Sequence, residues 1–276
     1  MSDSPVFPPV GQPNGTKLRR VNRSFPALRS IVALILREMS SRYGRSPGGY
    51  VWAILEPLGG ILILAFGFSL LLRTPSLGNS FLLFYATGFL PFQIYMSLSN
   101  AVARSINFSR ALLFYPAVTW LDAMLARFIL NSLTSLLVTY ILFTGIFMVT
   151  DTRTAIDIGP VVLSLALAML LGAGVGIVNC ALMGLFGPWE QIWSIATRPL
   201  FLASGVIFLL EDMPPNVQAI LWWNPLMHVT GLMRQGVYST YGADYVSAAY
   251  VVAVSLICLV AGLLLMGRYH RTILNE

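Results

Sequence analysis

The sequence predicts an all-α membrane protein. It has six transmembrane helices, an N-terminal amphipathic interface helix and a pair of short re-entrant helices on the periplasmic side before the last span. Three observations carry this. The chain is 57% hydrophobic and 10% charged, where a soluble domain carries roughly 25% charged residues, and a soluble fold of this size cannot hide so much apolar surface. The apolar stretches are long and continuous, the pattern of spanning helices and not of barrel strands. The basic residues gather at alternate segment ends, as the positive-inside rule requires.

Residues 1–25 are polar and lack an apolar signal-peptide core; this composition predicts a disordered cytoplasmic tail. Residues 26–45 follow helical spacing. Leu28, Ile31, Val32, Ile35 and Met39 form an apolar stripe, and Arg29, Arg37, Ser40 and Ser41 lie largely away from it. Such a helix suits the membrane surface, or equally a partner surface.

Residues 46–276 hold the spans, each needing about 20 apolar residues. They fall at 51–72, 80–103, within 118–149, at 160–186, 189–210 and 245–267. The first carries Glu56, followed by Pro57; the third begins near Asp122 and Arg127; the fifth contains Arg198, followed by Pro199. Intramembrane charge is costly and usually faces a bundle interior or an aqueous path. For Glu56 and Arg198 both a transport role and a structural pair near the interface fit.

Orientation follows from the basic residues. Lys17, Arg19, Arg20, Arg23, Arg29, Arg37, Arg42 and Arg45 precede the first span, Arg104 and Arg110 separate the second from the third, and Arg268 and Arg271 follow the sixth. An even span number puts all of these on the cytoplasmic side, with both termini. The net charge of +6 therefore marks topology and not nucleic-acid binding. The connection from 211 to 244 is long yet apolar, with Pro214, Pro215 and Asn224-Pro225 dividing it into short helices. That pattern predicts a hairpin dipping into the bilayer; an ordinary surface loop is the plainer reading.

Catalytic patterns are absent. The two histidines, His228 and His270, have no metal-ligand neighbour at helical spacing, and no GxxxxGK[ST] phosphate loop occurs. Cys180 and Cys258 lie deep in apolar runs and suit small core positions, not a disulfide or metal pair. Gly172 and Gly176 form a GxxxG pair inside the fourth span, which suits close helix packing. Aromatic residues cluster at Tyr43, Tyr50 and Trp52 and again at Phe89, Phe92 and Tyr95. Interfacial belts and core packing account for them, and so does a path for sugar rings.

The stretch from Arg42 to Pro57, RYGRSPGGYVWAILEP, resembles a signature of type-2 ABC exporter permeases. So do Gly88-Phe89-Leu90-Pro91-Phe92 in the second span and Trp223-Asn224-Pro225-Leu226-Met227-His228, followed by Arg234, before the last. These matches spread over most of the chain, in the family's order and topology. The compact six-span form is most similar to the branch that exports capsular polysaccharide across the bacterial inner membrane; O-antigen and teichoic-acid permeases are close relatives. Gly231 departs from the pattern, since an acidic residue is expected there to pair with Arg234.

The resemblance implies a homodimer bound to two copies of a separate ABC ATPase, which would hold the ATP and Mg; the chain itself would hold no cofactor and hydrolyse nothing. It implies a lipid-linked polysaccharide moving through a channel between the two copies. A periplasmic co-polymerase-type protein and an outer-membrane pore would complete the system. Arg42, Tyr43, Arg45, Tyr50 and Trp52 would meet the substrate or lipid headgroups at the entrance. Glu56, Phe89, Phe92, Tyr95 and Arg198 would line the channel. The segment 105–116, with Arg104, Phe108, Arg110, Phe114 and Tyr115, would couple to the ATPase. Trp222, Trp223, Asn224, His228 and Arg234, within 214–242, would form a periplasmic gate. The same fold could instead export a drug, small lipid or heme. A membrane enzyme acting on lipid-linked sugars would need a cluster of acids or histidines that the sequence lacks.

Overall fold

The computed structural model describes residues 26–43, 49–113, 118–150 and 155–275. The tail expected over 1–25, and Arg45, Phe114 and Tyr115, lie outside them. The amphipathic stretch forms α1, Pro26–Tyr43. Apolar runs then form α2 (Gly49–Ser69), α3 (Phe81–Ala103), α5 (Trp120–Val149), α6 (Ile158–Leu185) and α10 (Ala248–Asn275), with the short α4 (Ser105–Leu113) after α3. The predicted fifth span begins as α7 (Trp189–Ala203), and the 211–244 connection contains α8 (Pro215–Leu221) and α9 (Pro225–Val237).

Local chemistry sets the boundaries. The Ser80 hydroxyl caps α3 by accepting from the Leu83 amide, and Asp157 caps α6 through the Gly159 amide. Thr119 and Asp122 close a reciprocal capping box at the start of α5. Asn224 accepts from the Leu226 amide, and Pro225 occupies the first position of α9, where no amide hydrogen is needed.

Among the described residues, five helices are long and apolar enough to cross a membrane: α2, α3, α5, α6 and α10. The expected continuous helix over 189–210 stops at Ala203. Gly205 then takes φ +67°, a left-handed conformation that glycine adopts without strain. The 15 residues of α7 span about 22 Å at 1.5 Å per residue, short of a hydrocarbon core of about 30 Å.

The centre of the bundle is α6, packed between α3 and α10. A Cβ on Gly172 would come within 3.1 Å of the Tyr95 carbonyl, and one on Gly176 within 3.0 Å of the Ser99 carbonyl, both on α3. On the other side, a Cβ on Gly174 would meet the Ser255 carbonyl of α10 at 2.6 Å. The glycine run is thus a packing device, as its spacing suggests. Cys180 is buried and Cys258 half-buried, both as free thiols.

Candidate functional site

Three neighbourhoods hold the expected site residues. At the α1 end, Ile31, Leu34 and Ile35 pack against Ala123 and Ala126 of α5. Leu28, Val32, Leu36 and Met39 point outward. The helix therefore has two apolar faces, one against protein and one free, where its sequence suggested a single stripe. Glu38, which the stripe gave no reason to single out, is buried and accepts from Arg127 Nε at 3.0 Å. Arg127 also donates to the Ala101 carbonyl at 3.2 Å. Its guanidinium lies 4.3 Å from the Phe108 ring centre, with Arg37 at 5.6 Å from the same ring. Phe108 belongs to α4, so α1, α4 and α5 meet at one cluster. Arg104 pairs with Glu190 of α7 at 2.8 Å on the exposed side, and Arg110 donates to the Leu274 carbonyl at 3.2 Å. Arg42 and Tyr43 end α1, and Tyr50 stands in the first turn of α2.

The second neighbourhood is a polar cleft between α2, α3 and α5. Trp52, Glu56, Gln93, Ser97, Asn131 and Thr134 line a cavity of about 320 Å³. Pro57 lacks an amide hydrogen, so the carbonyl of Ala53, also in this wall, has no helical donor. Glu56, Gln93 and Ser97 continue into a second cavity of about 640 Å³ that reaches Glu38, Arg104, Phe108 and Arg127. Of the aromatic residues expected along the path, Phe92 touches this second cavity. Tyr95 is instead 3% exposed, packed with Phe92, Leu171, Val206 and Leu226. Phe89 and Phe92 both pack edge-on against Phe201 of α7. In the single chain these rings join α3 to α7, because the side of α3 that carries them faces the irregular segment after Ala203. Arg198 is exposed on α7 and makes no ion pair among the described residues.

The third neighbourhood is the α8–α9 elbow. Trp222 stacks on Tyr250 at 5.1 Å and meets the His228 ring edge-on at 5.1 Å. Trp223 is exposed; its carbonyl accepts from the Tyr250 hydroxyl at 2.7 Å. The Ser247 amide donates to His228 Nδ1 at 3.2 Å. Nδ1 is therefore the acceptor, and Nε2 carries the hydrogen that bonds the Trp222 carbonyl at 2.8 Å. Burial holds the imidazole below its ordinary pKa, with the Trp222 carbonyl opposing part of that shift. Asn224 donates to the Ala203 carbonyl at 2.9 Å and so ties the elbow to the end of α7. Tyr245 and Tyr250 complete the cluster; their tyrosine identity alone did not mark them.

Arg234 stands apart from this cluster. Its side chain is fully buried and lies 4.5 Å from the Phe84 ring centre. Its two terminal nitrogens donate to the carbonyls of Phe208 at 2.9 Å and Val206 at 3.1 Å. The carbonyls of the broken segment take the place of the acid expected at 231. That position has no room for one: a Cβ on Gly231 would collide with the Tyr245 hydroxyl.

Spanning helices around a polar cleft, braced at both ends by buried side-chain networks, define a membrane transport protein. More particularly, the chain belongs to the ABC-2 type transporter family, whose model matches residues 29–238. It is 31% identical to the polysialic acid transport protein KpsM of Escherichia coli over 247 residues, 90% of this chain and 96% of that one. It is 26% identical to the capsule polysaccharide export inner-membrane protein CtrC of Neisseria meningitidis, over 88% of this chain and 92% of the relative. The corresponding protein BexB of Haemophilus influenzae is 26% identical over the same shares.

Proposed function

We propose that the chain is the permease subunit of an ATP-driven exporter that moves lipid-linked capsular polysaccharide across the bacterial inner membrane. The observation that carries this is similarity along nearly the whole chain to relatives named for capsule polysaccharide export and polysialic acid transport. A polar cleft among otherwise apolar helices supports it, since a hydrophilic polymer needs hydrogen-bonding walls inside a bilayer.

The finer assignments belong to the same reading. Both termini face the cytoplasm. The segment after α7, up to the 3-10 turn at Leu210–Asp212, continues α7 into a sixth, broken crossing. The α8–α9 pair is re-entrant and forms the periplasmic gate, with Trp222, Trp223, Asn224 and His228 at its elbow and Arg234 bracing it. The α4 helix, with Arg104, Phe108 and Arg110, docks on a separate ATPase; Phe114 and Tyr115 follow it. Arg42, Tyr43, Arg45, Tyr50 and Trp52 stand at the substrate entrance. Two copies form the permease. In support, Glu56 and Arg198 are both exposed on apolar helices, where hydrocarbon is a costly neighbour and a channel between copies supplies water.

The test is deletion of the gene in its own bacterium, with surface polysaccharide measured before and after complementation. Loss of surface polysaccharide with intracellular accumulation is expected. Unchanged surface polysaccharide would sink the reading.

A further inference from the structure

The two ends of α10 are tied to two of the neighbourhoods described above. At its C-terminal end, Arg110 of α4 donates to the Leu274 carbonyl at 3.2 Å. Ile273 is buried in one cluster with Ile106 of α4, and a Cβ on Gly184 of α6 would collide with it. Trp120, the first residue of α5, stacks on His270 at 6.1 Å. At the other end, Ser247 precedes the helix. Its hydroxyl accepts from the Tyr250 amide at 3.3 Å, and its own amide donates to His228 Nδ1. Tyr250, in the first turn, stacks on Trp222 and donates to the Trp223 carbonyl. One helix therefore touches both α4 and the α8–α9 elbow.

Between these ends α10 is stiff. Its 28 residues span about 42 Å at 1.5 Å per residue, and no proline interrupts them. Proline is a common cause of a sharp kink, and α2, α3 and α7 each hold one, at 57, 91 and 199. Along its middle, α10 is locked to α6. A Cβ on Gly262 would come within 2.8 Å of the Val178 amide nitrogen, which adds to the close approach of Gly174 to Ser255. Backbones packed this closely bend or slide only by giving up many contacts at once, so the pair passes displacement along its length. By contrast, α7 has no buried residue.

We propose that α10, backed by α6, is a rod that carries displacement of the ATPase-docking helix α4 to the α8–α9 elbow. Ile273 and Tyr250 are its positioning residues, one at each end. This role rests on the export reading, because α4 docks on an ATPase only there. It adds the route by which the nucleotide state of the partner reaches the elbow. The competing route runs along α3, where Gly88 lies beside Arg234, but it crosses Pro91. At the elbow, the ring stack on Trp222 and the hydrogen bond to the Trp223 carbonyl both come from Tyr250. A shift of α10 therefore moves both tryptophans together.

The full-length chain is purified with its ATPase, placed in lipid nanodiscs and followed by fluorine NMR. Ile220→Cys, on the exposed side of α8, carries a trifluoromethyl tag that adds one resonance absent from the tagged parent chain. Trapping with ATP and vanadate should shift that resonance. Adding Tyr250→Leu should abolish the shift while ATPase association and ATP hydrolysis stay unchanged. Tyr250→Phe keeps the ring and loses the hydroxyl, so it should give an intermediate shift. Ile273→Ala should abolish the shift from the opposite end of α10, where no elbow residue is touched and a locally unfolded elbow is not the cause. A full shift in Tyr250→Leu or in Ile273→Ala overturns the rod and assigns transmission to α3. Intact co-purification with an elbow that ignores nucleotide overturns the rod alone, whereas a chain that binds no ABC ATPase overturns the export reading and the rod with it.

Discussion

Glu38 and Arg127 form a buried ion pair at 3.0 Å that fastens the amphipathic α1 to the spanning helix α5. Their side chains are 3% and 12% exposed. A pair this buried contributes little net stability, but removing one partner takes the 3.0 Å counter-charge from the other. Arg127 also lies over Phe108 of α4, so the pair connects the proposed ATPase-docking helix with the amphipathic α1.

Removing one side of that pair should therefore cost more than removing both. Arg127→Leu is expected to destabilise the chain by about 3–5 kcal/mol. The Glu38→Leu, Arg127→Leu double variant should lose much less than the sum of the two single changes. Thermal unfolding in detergent, arranged as a double-mutant cycle, measures the difference, and simple additivity would show that the pair is not coupled.

Arg234 holds the broken segment through two carbonyls at once. Lysine keeps the charge but not the planar fork. Arg234→Lys should cost about 1.5–3 kcal/mol, the range for a hydrogen bond to a charged group. Amide exchange over 204–209 should accelerate while that of α6 stays slow. Equal protection in both proteins would remove Arg234 from its bracing role.

His228 gives the elbow a pH dependence. Its folded pKa lies below the ordinary 6.5, so the unfolded chain binds the proton more readily. The stability it contributes is present above about pH 6.5 and is lost as pH falls below that value. Protonation would set a hydrogen on Nδ1 against the Ser247 amide. Melting temperature should drop as pH falls from about 6.5 to 5.5. It should drop less in His228→Gln, which keeps a donor for the Trp222 carbonyl but does not titrate.

Gly231 has no space for a side chain. Gly231→Ala should destabilise by about 1–3 kcal/mol through overpacking, and adding Tyr245→Phe should recover part of the loss, because the hydroxyl is the nearest obstacle. Melting curves of the two variants test this; an identical loss in both would place the cost elsewhere.

The orientation is tested by cysteine labelling of intact cells with an impermeant reagent. Arg20→Cys should stay unlabelled and Ala155→Cys should react. The reverse pattern would invert the topology.

Five of the spanning helices were legible because each is encoded locally. A continuous apolar run must be a helix in lipid, a hydroxyl or carboxylate before it caps it, and Asn224-Pro225 starts α9 by its own geometry. The GxxxG spacing likewise announced close packing at Gly172 and Gly176. The order of three motifs along the chain was enough to suggest the family that the comparisons then showed.

What the tertiary structure alone decided are relationships between distant residues. Glu38 and Arg127 are 89 positions apart, and no periodicity links them. The stripe of α1 could not reveal that one half meets α5 and the other stays free, since apolar side chains suit protein and lipid alike. The break after Ala203 depends on Gly205, Asn224 and Arg234 together, so a hydropathy profile reads through it as one helix. Apart from Trp52 and Glu56 of α2, the polar side chains of the cleft come singly from α3 and α5, each unremarkable in its own span. Sequence periodicity records which residues share a helix face. Packing alone determines which faces meet, and therefore where the polar path lies.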